Sequence, residues 1–214
     1  MRVRPLASAG VGAAVVFTLG WIVAGAVSEP VDATRGTIND LGAQPVALAW
    51  LWNVPRTVSG LLIVAVCAGL RARLPQTRGT RAGILLLGLL GVADALALVF
   101  RRDCLTTDPA CDHDRSYSWQ HVGHELISPL GSVGLVVALV LLARCFRDEP
   151  ELRFLWRPSL AALAVLVATL ALFAVLRDSD GVGVVQRVSA TAVYAWIAVV
   201  AVTLDRRPRS SLAE

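Results

Sequence analysis

Ser159-Leu-Ala-Ala-Leu-Ala-Val-Leu-Val-Ala-Thr-Leu-Ala-Leu-Phe-Ala-Val-Leu176 contains no charged side chain. A helix rises about 1.5 Å per residue, so about 20 such residues cross a hydrocarbon core of about 30 Å. With its flanks this run forms an apolar stretch from Leu155 to Leu176. Five others resemble it: Leu6 to Val27, Val46 to Leu70, Ala82 to Phe100, Trp119 to Phe146 and Val184 to Leu204. The sequence therefore predicts an all-α polytopic membrane helix bundle, with six transmembrane helices in a single membrane domain over residues 1–214.

Composition points the same way. Hydrophobic residues make up 56% of the chain and charged residues 17%, too little charge to cover a soluble domain of this length. The net charge of +4 is carried by arginine alone among the basic side chains, and its distribution matters more than its total. Thirteen arginines fall on one set of connections, at positions 2, 4, 71, 73, 78, 81, 144, 147, 153, 157, 206, 207 and 209. Six fall on the alternate set: Arg35, Arg101, Arg102, Arg115, Arg177 and Arg187. The positive-inside rule then predicts a multi-pass plasma-membrane protein with cytoplasmic N- and C-termini. Met1-Arg-Val-Arg, the following apolar run and Ala24-Gly-Ala26 have the outline of a secretory signal. The run exceeds a usual signal core, so a retained membrane anchor is expected.

Under this topology the outer loops are Ser28 to Pro45 and Arg101 to Ser118. Cys104 and Cys111 share the second, on the oxidising side, which suggests a disulfide. The alternative is a metal site built on Cys104-x6-Cys111-x-His113, flanked by Asp112 and Asp114. Its spacing matches no common zinc pattern. Cys67 and Cys145 read as reduced thiols.

Polar residues within the spans are the informative exceptions, because a mid-membrane Asp carries an insertion cost of roughly 2.5–3.5 kcal/mol. Asp94 lies in Gly91-Val-Ala-Asp-Ala-Leu-Ala-Leu-Val-Phe100. Asn53 and Arg56 stand three apart on one face of span two, with Pro55 between them. Span four opens with His121, His124 and Glu125, and span six with Gln186 and Arg187. By span order and helical rise, all of these fall in the outer half of the membrane or at its edge. They predict an outward-facing polar pocket formed by Asn53, Arg56, Asp94, His121, His124, Glu125, Gln186 and Arg187. The plainer alternative is an internal ion-pair network in which Arg56 neutralises Asp94. A third reading is a zinc-dependent hydrolase in which His121 and His124, with Asp94 or Glu125, hold a metal that activates water. The His-Glu-x-x-His pattern is missing, and no further histidine lies in the spans.

Several of these residues fall into a familiar arrangement. Thr37-Ile-Asn-Asp-Leu-Gly42 precedes span two, which contains Asn53 and Gly60. Phe100-Arg-Arg-Asp103 closes span three, His121 opens span four, and Gly183-Val-Val-Gln-Arg187 opens span six. Together they resemble the prokaryotic six-span family catalogued as domain of unknown function 998. The resemblance covers nearly the whole chain and implies an integral membrane protein without an established reaction. Where that family often reads Phe-Pro-x-Asp, this chain has Arg101 in place of the proline. A weaker resemblance runs to alkaline-ceramidase-type membrane hydrolases, whose His-x-x-x-His pair on a late helix is missing here.

The leading expectation is a non-enzymatic membrane protein that binds a lipid headgroup or small solute in the outer pocket, with transport as one use of it. Its partners are membrane lipids and such a ligand, and no cofactor is expected. A structural or assembly role with internal ion pairs is the alternative beside the metal hydrolase. No glycine-rich phosphate loop is present. The inner arginines fit topology and anionic lipid better than nucleic acid.

Overall fold

In the computed structural model, which describes residues 5–112, 116–176 and 180–207, the regular structure is helical. Six long helices succeed one another: α1 (Pro5–Val27), α2 (Trp50–Arg71), α3 (Arg78–Ala95), α4 (Trp119–Asp148), α5 (Trp156–Val175) and α6 (Val182–Arg206). Short 3-10 turns lie at Asp40–Gly42, Pro109–Asp112 and Pro150–Leu155. Each long helix packs on its sequence neighbours, and α6 returns to pack on α1. The result is a ring of six in which each successive pair touches. His113, Asp114, Arg115, Arg177, Asp178 and the arginines at 2, 4 and 209 lie outside the described residues.

Five of the described helices are long and apolar enough to cross a membrane: α1, α2, α4, α5 with its preceding turn, and α6. The chain is a multi-pass membrane protein. The third stretch differs from the other five. Its helix begins at Arg78 and ends at Ala95, so it contains Arg78, Arg81 and Asp94, and residues 96–99 form turns. Helix α2 likewise starts at Trp50 rather than Val46, because residues 46–49 form turns tied by Ala49 N–H to Val46 O. Asn53 is therefore only one turn from the start of its helix.

The helices are those a lipid environment selects, since backbone groups in hydrocarbon must be satisfied within the segment. Large apolar side chains such as Leu19, Leu61, Leu85, Leu130 and Val175 are exposed around the perimeter. Helix contacts use small residues instead. A Cβ on Gly60 of α2 would sit 2.4 Å from Ala95 N and 2.5 Å from Gly91 O, so α2 and α3 touch backbone to backbone. A Cβ on Gly10 would sit 2.4 Å from Ala201 Cβ, and that contact joins α1 to α6. Thr77 and Ser118 cap α3 and α4 by accepting the backbone N–H of Thr80 and His121, which satisfies donors that a helix start leaves open.

One end of the ring bears the Ser28–Pro45 and Arg101–Ser118 segments and is called here the loop end. Cys104 and Cys111 are joined there by a disulfide, with their Cα atoms 5.7 Å apart. Maleimide is accordingly expected to label neither cysteine before reduction and both after it, as mass spectrometry of the intact chain would show. The opposite end is held by Asp205, which accepts from Arg73 Nη2 (2.7 Å) and from the Ala7 backbone N–H (2.9 Å). Arg73 also donates to Leu204 O at 2.6 Å. These bonds draw together α1, the turn after α2 and the end of α6.

Candidate functional site

Asp94 faces the inside of the ring from the last turn of α3. Its Oδ1 accepts from Arg56 Nε of α2 at 2.7 Å, and its Oδ2 accepts from the Tyr194 hydroxyl of α6 at 2.5 Å. Arg56 Nη1 donates onward to Asn39 Oδ1 in the first loop segment at 3.0 Å. Tyr194 is fixed in turn by stacking on Phe17 of α1, with ring centroids 3.8 Å apart and planes 17° apart. The buried carboxylate thus meets both a cation and a neutral donor, which offsets the desolvation that would otherwise exclude it.

The first turns of α4 supply the neighbouring wall. His124 Nδ1 lies 3.3 Å from Phe100 O, and its Nε2 lies 3.2 Å from Ser128 Oγ, one turn along the same helix. A carbonyl can only accept, so Nδ1 carries the hydrogen and Nε2 is the acceptor for the Ser128 hydroxyl. His121 is turned elsewhere. Its Nδ1 accepts the Asp103 backbone N–H at 3.1 Å, and its ring stacks on Tyr117 at 4.2 Å. Asp103 also accepts from Ser118 N–H and Oγ, both at 2.6 Å. Burial pushes the Asp103 carboxyl up, but the bonds from Ser118 outweigh it, and its pKa lies below the ordinary value.

The loop segments are tied down around Asp40, which is fully buried. Its Oδ2 accepts Thr37 N–H at 2.7 Å and its Oδ1 accepts Thr106 N–H at 2.9 Å. Thr106 Oγ1 donates to Oδ2 as well. Arg102 Nη1 reaches Asp40 Oδ1 at 3.5 Å, and Arg102 Nε lies 3.3 Å from Glu125 Oε1. Arg101 donates to Gly42 O and Ala43 O at 3.1 and 3.2 Å. The residue that replaces the family's proline therefore latches the first loop segment onto the end of α3.

Together these groups border a cavity of about 1070 Å³ to which all six helices contribute wall. Arg56, Asp94, His124, Glu125 and Gln186 line it, as do Arg102, Thr106 and Tyr194. Asn53, His121 and Arg187 stand behind the wall and act on the loops. Asn53 Nδ2 donates to Gly42 O at 3.0 Å. Arg187 Nη1 donates to Ala33 O and Gly36 O at 2.8 and 3.0 Å. Gln186 combines both roles, because its Oε1 accepts Ile38 N–H at 2.7 Å. The sequence expectation placed all eight in one pocket by depth alone. Depth does not determine which way a side chain points around a helix, and these three point toward backbone carbonyls or N–H groups left open by the loops.

Asn39, Arg102, Ser128 and Tyr194 were absent from that expectation. Asn39 and Arg102 lie in motifs already marked by the resemblance, and Tyr194 is a hydroxyl deep in an apolar span. Ser128 has no distinguishing signal, since serine within a span usually bonds its own helix backbone.

The metal alternatives do not fit this geometry. The two imidazoles have separate partners, and no group of three or more His, Cys, Asp or Glu gathers among the described residues. In the second loop segment the sulfurs of Cys104 and Cys111 are bonded to each other, and His113 is outside the described residues.

No curated protein and no solved structure matches the chain. The model of one family, described as "Protein of unknown function (DUF998)", matches residues 11–203. That match takes in α2 to α5, both loop segments and most of α1 and α6, and the chain belongs to the DUF998 family.

Proposed function

We propose that this is a six-span plasma-membrane protein with cytoplasmic termini, whose loop end faces outward and whose cavity holds the polar part of a lipid or small amphipathic solute. Helix α3 is the sixth span. Its Asp94 is neutralised inside the ring, and Arg78 and Arg81 belong to its cytoplasmic end. The arginine asymmetry supports this orientation. With single cysteines in otherwise accessible-cysteine-free chains, impermeant maleimide is expected to label Asp32→Cys in intact cells and Arg78→Cys only after permeabilisation. The reverse pattern would invert the topology.

The observation that carries the binding reading is a charged cluster on the wall of a large cavity. The Arg56–Asp94 pair is itself largely covered, as a pair that holds helices together would be, so what carries the reading is the space beside it. Here Arg56 and Asp94 border a space of about 1070 Å³, beside His124 and Ser128, and pockets of this kind pair an apolar lining with a few placed polar groups. Transport through the same space would require the Arg73–Asp205 end to part. The binding reading predicts that native mass spectrometry of the protein released from nanodiscs finds a retained lipid or small molecule. Ser132→Leu, which adds apolar bulk to the lining, is expected to remove it with little change in melting temperature. A wild-type chain that emerges free of any bound species would leave only the structural role.

A further inference from the structure

Buried side chains recur along the whole length of α1, α2 and α3. Helices α4 and α5 break this pattern. No residue of α4 is buried between His124 and Leu135, and none of α5 beyond Leu166. Since α4 starts at the loop end and α5 finishes there, both gaps lie in the same half of the ring. The cavity wall there includes Val133, 64% exposed, and Leu170, 38% exposed. Gly131 joins that wall, and a Cβ on it would meet nothing within 4 Å. The cavity is therefore open sideways, between α4 and α5, across an apolar seam. In a bilayer such a seam faces acyl chains rather than water.

At its other side the same cavity meets cations that differ in how fully they are engaged. Arg56 is held by Asp94 at 2.7 Å, and Arg35 is paired with Asp180. Arg102 is the least committed. Its contacts to Asp40 and Glu125 are 3.5 and 3.3 Å long, Glu125 is half exposed, and Arg102 Nε is buried without a hydrogen-bond partner. Asp40 takes three other hydrogen bonds, from Thr37 N–H and from Thr106 N–H and Oγ1, and the bond from Arg102 is the longest of the four. A guanidinium in this state is suited to an acceptor-only group such as a phosphate.

We infer that the cavity takes an anionic phospholipid from the surrounding leaflet, its chain lying between the outer halves of α4 and α5 and its phosphate on Arg102. This rests on the binding reading above and adds the ligand's charge and its sideways route. A water-soluble phosphate would need no apolar seam, and a zwitterionic lipid would bring a cation beside Arg102.

The test uses the full chain in nanodiscs containing phosphatidylglycerol or phosphatidylcholine with a diazirine on the acyl chain. After illumination, cross-linked peptides are mapped. Phosphatidylglycerol is expected to label residues 126–134 and 167–175 well above the exposed face of α1. Arg102→Gln is expected to reduce that labelling about tenfold, the equivalent of about 1.4 kcal/mol. Leu170→Trp, at an exposed position that a folded chain tolerates, is expected to reduce it by obstructing the seam, and melting curves report whether each variant folds. Labelling spread evenly around the perimeter would overturn the inference, as would equal labelling by phosphatidylcholine. Binding of glycerol phosphate without seam labelling would overturn the sideways route while leaving the pocket in place. If neither lipid nor glycerol phosphate is held, both the inference and the binding reading fail.

Discussion

Asp94→Ala is expected to destabilise the bundle by about 3–5 kcal/mol, the range for removing one partner of a buried ion pair. The loss exceeds that of the 2.7 Å Arg56 contact alone. Arg56 would be left as an uncompensated charge against the cavity, and the Tyr194 hydroxyl would lose its acceptor. Asp94→Asn retains an oxygen for Tyr194 and loses only the charge, so it should fall between alanine and wild type. The double variant Arg56→Gln with Asp94→Asn removes both charges and should recover part of the loss, because non-additivity of this kind marks direct coupling. Thermal unfolding followed by size-exclusion chromatography in mild detergent separates these cases. If Asp94→Ala melts with the wild type, the ion pair makes no contribution to the fold.

Gly60→Ala is expected to be as damaging, although it adds a single methyl group. In most helices that exchange stabilises by roughly 0.5–1 kcal/mol. Here the new Cβ would lie 2.4 Å from Ala95 N, 2.5 Å from Gly91 O and 2.8 Å from Asp94 C. All three are backbone atoms of α3, and none can rotate away as a side chain would. The helices must separate, which forfeits close packing and displaces Asp94 from Arg56. A loss of about 3 kcal/mol, at the upper end for overpacking, is expected. Gly25→Ala is the control, since its Cβ would meet nothing within 4 Å. Equal melting temperatures for the two variants would contradict the close crossing of α2 and α3.

The class of fold was legible because hydrophobicity is a property of composition over a window. Any run such as 159–176 must be helical and lipid-facing if its backbone is to be satisfied. Helix ends were less legible. The Val46 start is apolar, yet residues 46–49 are drawn into turns, and Leu96–Phe100 leaves the helix although its hydrophobicity continues. Apolarity does not distinguish a helical residue from one in a turn packed against the loop end.

The site divides along the same line. Asp94 and Arg56 were visible as residues too costly to insert unless paired, and the structure pairs them. Tyr194 was not evident as their partner, because 100 residues separate it from Asp94 and only the return of α6 onto α1 brings it near. His121 and His124 stand on one face by spacing alone. The folded loops divide them, drawing one to Asp103 N–H and leaving the other on the cavity wall.

By itself, the sequence determined that this chain is a polytopic helical membrane protein, which few polar residues it must shelter, and that two cysteines could close the second loop segment. Tertiary structure alone decided which of those polar residues share a space, which tie down the loops, and where α4 and α5 bury nothing in their loop-end halves, between His124 and Leu135 and beyond Leu166. Burial in lipid follows from each segment's own composition. Convergence depends on the rotation of each helix about its axis, which is set by the glycines and loop contacts of its neighbours.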